Sequence, residues 1–343
     1  MSASYDNTAA NRNNPDPEQW VGWGERTVDE MAHAWMNVVY LNAGEYQALV
    51  AERRSRTAKA ADENTARPPA GAPAARSFPT RVTSGQVGAS VTGSFEGWYS
   101  NPDGSRSFLV GYLNRNLGQE VDVPIGPNNR IEPGGPDLGQ PTHFLPGRQH
   151  GMFVVAVPRD FTPQQTLTWT LVANGQTTSI PLRLNNDYVV NPFSDIGADN
   201  TPPILQFARN GPGLQGPTAT TATGVARTTT LSALLPLTLW VADDARYTSS
   251  TNAPQRNPPP PVRLTWSKYR GPGAVTFSTT ARPTIGILQG GTLPFYGSSV
   301  VIPKFSEPGD YLLHVTANEY IGEASSGFLC CWTTAIVKVA VTP

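Results

Sequence analysis

From about residue 85 onward, apolar and polar residues alternate in short runs, and each run is closed by Gly, Pro, Asn or Asp. A period of two with such punctuation predicts half-buried β-strands joined by tight turns. The pattern places strands at 93–99, 107–114, 119–125, 151–157, 167–173 and 177–184. A second series falls at 204–207, 235–242, 262–268, 275–279, 298–305, 309–317 and 333–341. Asn101-Pro-Asp-Gly104 and Asn174-Gly175 read as hairpin turns, because Gly and Asn tolerate the positive φ that such turns need. A Pro/Gly-rich stretch, Gly126–Gln149, reads as one long loop of functional or tethering character. Residues 257–261 form a polyproline interruption between two strands.

The first 84 residues carry no such alternation. Thr27 to Glu30 fits a helix capping box, and 43–56 is a good helix former with Tyr46, Leu49 and Val50 on one side. Residues 59–84, rich in Ala, Pro, Arg and Ser, read as a flexible linker. The expected organisation is therefore a partly helical segment 1–58, a linker 59–84, and two consecutive antiparallel β-sandwich domains at 85–195 and 202–343. The fold class is all-β.

Composition agrees with many short strands: 15% charged residues, 32 Gly and 33 Pro in 343 residues. A net charge of −1 offers no concentrated basic surface, which argues against nucleic acid as a partner. Protein or carbohydrate remains as the partner class. No apolar run is long enough to span a membrane. Met1–Asn14 is polar and lacks the apolar core of a signal peptide, so export would need a start upstream. The only two cysteines, Cys330 and Cys331, are sequence neighbours. They fit either a strained vicinal disulfide or two strand residues facing opposite sides.

Candidate chemistry is thin. Gly-rich phosphate loops, nucleophile elbows and zincin motifs are absent, so the chain by itself carries no complete catalytic site. The long loop gathers Arg130, Glu132, Asp137, His143 and Arg148. An imidazole with two carboxylates could hold a divalent metal, with the arginines as binding residues. The same groups could instead bond the loop's own backbone. His150, beside a strand start, reads as structural. Asp243-Asp244 could contribute oxygens to a Ca²⁺ site, or be a solvated loop pair.

Three resemblances add expectations. Pro236-Leu-Thr-Leu-Trp-Val-Ala-Asp-Asp244, Leu264-Thr-Trp-Ser267 and Phe305-Ser-Glu-Pro-Gly-Asp-Tyr-Leu-Leu-His-Val-Thr-Ala317 resemble the PKD family of extracellular Ig-like modules. That resemblance implies a spacer or adhesion unit with Trp266 as core aromatic and Tyr311, Leu313 and Val315 pointing inward. Phe95-Glu-Gly-Trp-Tyr99, Gly111-Tyr-Leu-Asn-Arg-Asn116, Ile125-Gly-Pro-Asn-Asn-Arg130, Glu132-Pro-Gly-Gly-Pro-Asp137 and Gly139-Gln-Pro-Thr-His-Phe144 are similar to a β-domain of uncharacterised exported acidobacterial-type proteins. Finally, Tyr5-Asp-Asn7, Asn13-Asn-Pro-Asp-Pro17 and Trp23-Gly-Glu-Arg-Thr-Val-Asp-Glu-Met31 resemble the C-terminal end of copper type II, ascorbate-dependent monooxygenases. This last resemblance implies Met31 as a copper ligand. Its imidazole partners would come from a His-x-His motif, which this sequence lacks: its four histidines are His33, His143, His150 and His314. No cofactor is expected of this chain alone, and copper only if an upstream domain completes the site. The modules as a whole point to an extracellular or periplasmic place.

Overall fold

Trp169 and the side chains around it organise the N-terminal half of the β structure. The protein, seen in a computed structural model, is described over residues 87–194, 200–222, 224–245, 260–277, 280–319 and 331–343. The expected helix at 43–56, the linker 59–84, Met31 and Cys330 lie outside the described residues. The first eight strands are β1 (Val91–Ser100), β2 (Arg106–Asn114), β3 (Val121–Asp122), β4 (Asn129–Glu132), β5 (His143–Phe144), β6 (Gly147–Val157), β7 (Leu167–Ala173) and β8 (Gln176–Leu182). Sheet β1-β2-β6 faces sheet β4-β7-β8, with the small pair β3-β5 beside them. A Cβ on Gly93 of β1 would lie 2.6 Å from the Trp169 ring, so the sheets meet where the sequence has no side chain. Phe153 packs edge-on to Trp169 at 5.3 Å, and Phe144 stacks at 6.3 Å. The indole N–H donates to Asn129 Oδ1 at 3.0 Å.

Both hairpin turns form as the residues predict. Gly104 donates back to Asn101 O, and Asn174 and Gly175 both take positive φ. The expected strand 119–125 pairs only at Val121–Asp122, since Pro124 has no N–H to donate. The expected loop 126–149, in turn, contains β4, β5 and the start of β6. Its buried Ile131 and Phe144 anchor those short strands in the core. Buried Asn129 then donates to the carbonyls of Val123 and Pro141, closing the loop on itself.

The second half comprises β9 (Ile204–Gln206), β10 (Leu214–Gln215), β11 (Val225–Thr230), β12 (Leu237–Asp243), β13 (Val262–Arg270), β14 (Val275–Phe277), β15 (Gly286–Ile287), β16 (Phe295–Val301), β17 (Pro303–Phe305), β18 (Gly309–Glu319) and β19 (Trp332–Thr342). Sheet β10-β9-β12-β16-β15 packs on sheet β11-β19-β18-β13. Pairing is antiparallel except for β11, which runs parallel to β19. Trp266, Tyr311, Leu313 and Val315 all lie inside this core, with Trp266 opposite Val315 in the ladder. Among the described residues the only helical turn is Asn186–Tyr188, so the fold is all-β in two sandwiches.

The two sandwiches share a sealed joint. Tyr269, Leu312 and Ile336, on the outer face of the β13-β18-β19 layer, pack into the core of the first sandwich. Trp332 packs with Tyr99, Leu109 and Val154 on the far side of β1-β2-β6. Gly151, at φ +48, lies under that indole, and a Cβ there would come within 2.4 Å of the ring. All described residues belong to one compact unit.

Candidate functional site

The polar residues of the 126–149 loop and its flanks go to separate partners. Arg130 Nε donates to Glu132 Oε2 at 2.7 Å, a surface pair on β4. Asp137 instead takes both ends of the Arg270 guanidinium, at 2.8 Å each, across the joint. That fork holds the Asp137 carboxyl below its ordinary value. His143 is buried, with Nδ1 2.9 Å from Asp122 Oδ1 and Nε2 3.2 Å from Glu120 Oε2. Lys268 of β13 joins Asp122 at 3.0 Å. Burial would raise the Asp122 carboxyl, but His143 and Lys268 outweigh it and the net shift is downward. Thus His143 has carboxylate neighbours, but they are Asp122 and Glu120, not Glu132 and Asp137.

Arg148 turns the other way. Its guanidinium meets the buried Glu96 Oε1 at 2.8 Å and donates to Ser94 Oγ. His150 Nδ1 stands 3.7 Å from the same carboxylate, and Gly151 N–H donates to Glu96 Oε2. Burial alone would raise this carboxyl, but Arg148, His150 and Gly151 together keep it low. Gly111 makes the room: a Cβ there would lie 2.2 Å from Glu96 Oε1. Glu96 sits at the bulge where β1 slips register between Phe95 and Gly97, which turns an acid inward. Sequence reading missed Glu96; Gly111, which pairs across the hairpin with Ser94, two residues before it, is the signal that could have found it.

Among the described residues one set of carboxylates comes together: Asp243, Asp244 and Glu319, with one oxygen of each within 4.8 Å of the others. Asp243 is 1% exposed, so it is not half of a solvated loop pair. It closes β12, whose inward row runs Leu237, Leu239, Val241, Asp243. Glu319 closes β18, whose inward row runs Tyr311, Leu313, Val315, Ala317, Glu319. Each strand thus ends its core-facing row in an acid, and the two strands belong to opposite sheets. Burial, and then the charge of Asp244, push the Asp243 carboxyl up to about 6. Glu319 and Asn200 escaped the sequence reading. The period-two row ending in Glu319 was the available signal, while Asn200 carries none.

Cys331 is buried and disulfide-bonded. Met31 lies outside the described residues. Among the described residues no helix is long and apolar enough to cross a membrane.

No family model matches the chain, and no curated protein matches it. Among solved structures the chain is similar to domains 4 and 5 of the S-layer protein SbsC, at 10% identity over 74% of this chain and 98% of that one, with a TM-score of 0.20. It is also similar to a protein of unknown function from Porphyromonas gingivalis W83, at 10% identity over 73% of this chain and 99% of that one, with a TM-score of 0.20. Neither score reaches the level of a shared fold, so the architecture rests on the strands themselves.

Proposed function

We propose that this chain is a non-catalytic β-sandwich module of an extracellular or periplasmic protein, acting as a rigid spacer that presents its surfaces to protein or carbohydrate. The observation that carries this reading is the joint. Tyr269 Oη donates to Gly139 O, Thr142 N donates to Tyr269 O at 3.1 Å, and His314 Nε2 lies 3.1 Å from Met152 O. With the Arg270–Asp137 fork and the Lys268–Asp122 pair, these contacts seal one face of each sandwich. Independent modules on a free linker would leave those faces polar and wet. A spacer must transmit direction along its length, and a buried apolar joint with directional hydrogen bonds resists bending.

The test is a distance distribution between spin labels on Gln164→Cys and Ile287→Cys, two exposed sites on opposite sides of the joint. The labels go to the new thiols, because among the described residues there is no free cysteine. One narrow distribution is expected. A broad or two-peaked distribution in the unmodified joint refutes the rigid-spacer reading.

A further inference from the structure

We infer that Asp243, Asp244, Glu319 and Asn200 form a Ca²⁺ site that clasps one end of the second sandwich. The donor set contains only oxygen, as a hard cation requires, and neither His nor Cys. Two oxygens on opposite sides of one Ca²⁺ lie roughly 5 Å apart. The three carboxylate oxygens, all within 4.8 Å of one another, fit around one such ion.

A second observation points to the ligand independently of the acids. Asn200 is fully buried, and its Nδ2 donates to Glu319 Oε2 at 2.9 Å. That bond sets the carboxamide against the cluster, yet its Oδ1 is buried with no hydrogen-bond partner. Asp243 repeats the pattern. Its Oδ1 accepts from Ala245 N at 2.8 Å, while its Oδ2 is buried without a donor. Buried acceptors in native proteins are nearly always satisfied. Here two orphaned oxygens sit in one acidic cluster, and a carboxylate and an amide oxygen cannot satisfy each other. A cation satisfies both at once. Thr201 fixes a further member, its N and Oγ1 donating to Asp244 Oδ2 at 3.1 and 3.0 Å.

The chemistry favours Ca²⁺ over Mg²⁺. Ligands from three separated chain segments, several of them buried, suit a large ion with a flexible shell of six to eight oxygens. Mg²⁺ demands near-ideal octahedral geometry and retains most of its water. When bound, the ion would link the end of β12 in one sheet, the end of β18 in the other, and the chain where it enters the sandwich at Asn200.

The test uses the full chain dialysed against a chelator, then titrated calorimetrically with CaCl₂. One Ca²⁺ per chain is expected, with a rise in melting temperature of about 5 °C at saturation and a much smaller rise with MgCl₂. Asp243→Asn and Glu319→Gln should each bind Ca²⁺ at least tenfold more weakly and lose the thermal response. Removing a crowded negative charge should leave both folded without Ca²⁺, as circular dichroism would confirm. Should either fail to fold, Tb³⁺ emission sensitised through tryptophan in the wild type, and its displacement by Ca²⁺, supplies the reading. The partly exposed Asp244→Asn then serves as the weakened variant. No saturable uptake by the wild type up to roughly 10 mM Ca²⁺, above the range of weak extracellular sites, overturns the proposal. So does undiminished binding in the variants.

Discussion

His314 is a polar residue placed where charge cannot follow. It lies on β18, stacked on the Tyr269 ring at 5.6 Å, with Nε2 against Met152 O and Nδ1 3.5 Å from Thr316 Oγ1. Burial pushes its imidazole down to about 4. The unfolded chain protonates this ring near pH 6.5, well before the folded one does. Stability from this residue is therefore intact above pH 6.5 and is lost as pH falls towards 4, by about 3 kcal/mol in all. Asp243, raised to about 6, works in the opposite sense and favours the folded state as pH falls. The difference between wild type and His314→Gln isolates the histidine. In urea unfolding at pH 7.5 and 4.5, the wild type should lose more stability than the variant. Equal losses would show that the ring is not the neutral buried group described.

At the scale of elements, β19 explains why the second sandwich does not stand apart. Trp332 to Val337 are all buried, where a strand with one wet face would alternate. Val337 and Val339 fill the core of their own sandwich, while Ile336 enters the other. That this stretch forms a strand was legible in its residues, where one is expected at 333–341. That its second cover is the first sandwich was not, because no local signal names a partner some 180 residues away. Amide exchange should reflect this layering. The β18–β19 ladder, central and covered on both faces, should exchange slowest, and the edge strand Gly286–Ile287, exposed at both residues, among the fastest. Comparable protection in the two would mean that the second cover contributes nothing to stability.

For the whole molecule, the shared core makes the two sandwiches one cooperative unit. Tyr269 is the pivot. It is buried in the first core while its neighbours on β13, Trp266 and Leu264, are buried in the second. Wild type should unfold in a single urea transition, with far-UV circular dichroism and tryptophan fluorescence coincident. The double variant Tyr269→Ala, Arg270→Ala removes the aromatic and the Asp137 fork. It should lower stability by roughly 3–5 kcal/mol, as truncating a buried aromatic does, and separate the two probes. Two resolved transitions in the wild type would sink the idea of a single unit.

The sequence by itself determined the strand content, both hairpin turns and the inward rows of the second core, because alternation and turn residues act over a few neighbours. It also named most of the polar residues that matter: Asp137, His143, Arg148, Asp243. Tertiary structure alone decided what each of them meets. Asp137 pairs with Arg270, His143 with Asp122 and Glu120, Arg148 with Glu96, and Asp243 with Asp244 and Glu319. Those partners come from distant strands, and which strands lie side by side is fixed by how the two cores close, not by any local pattern.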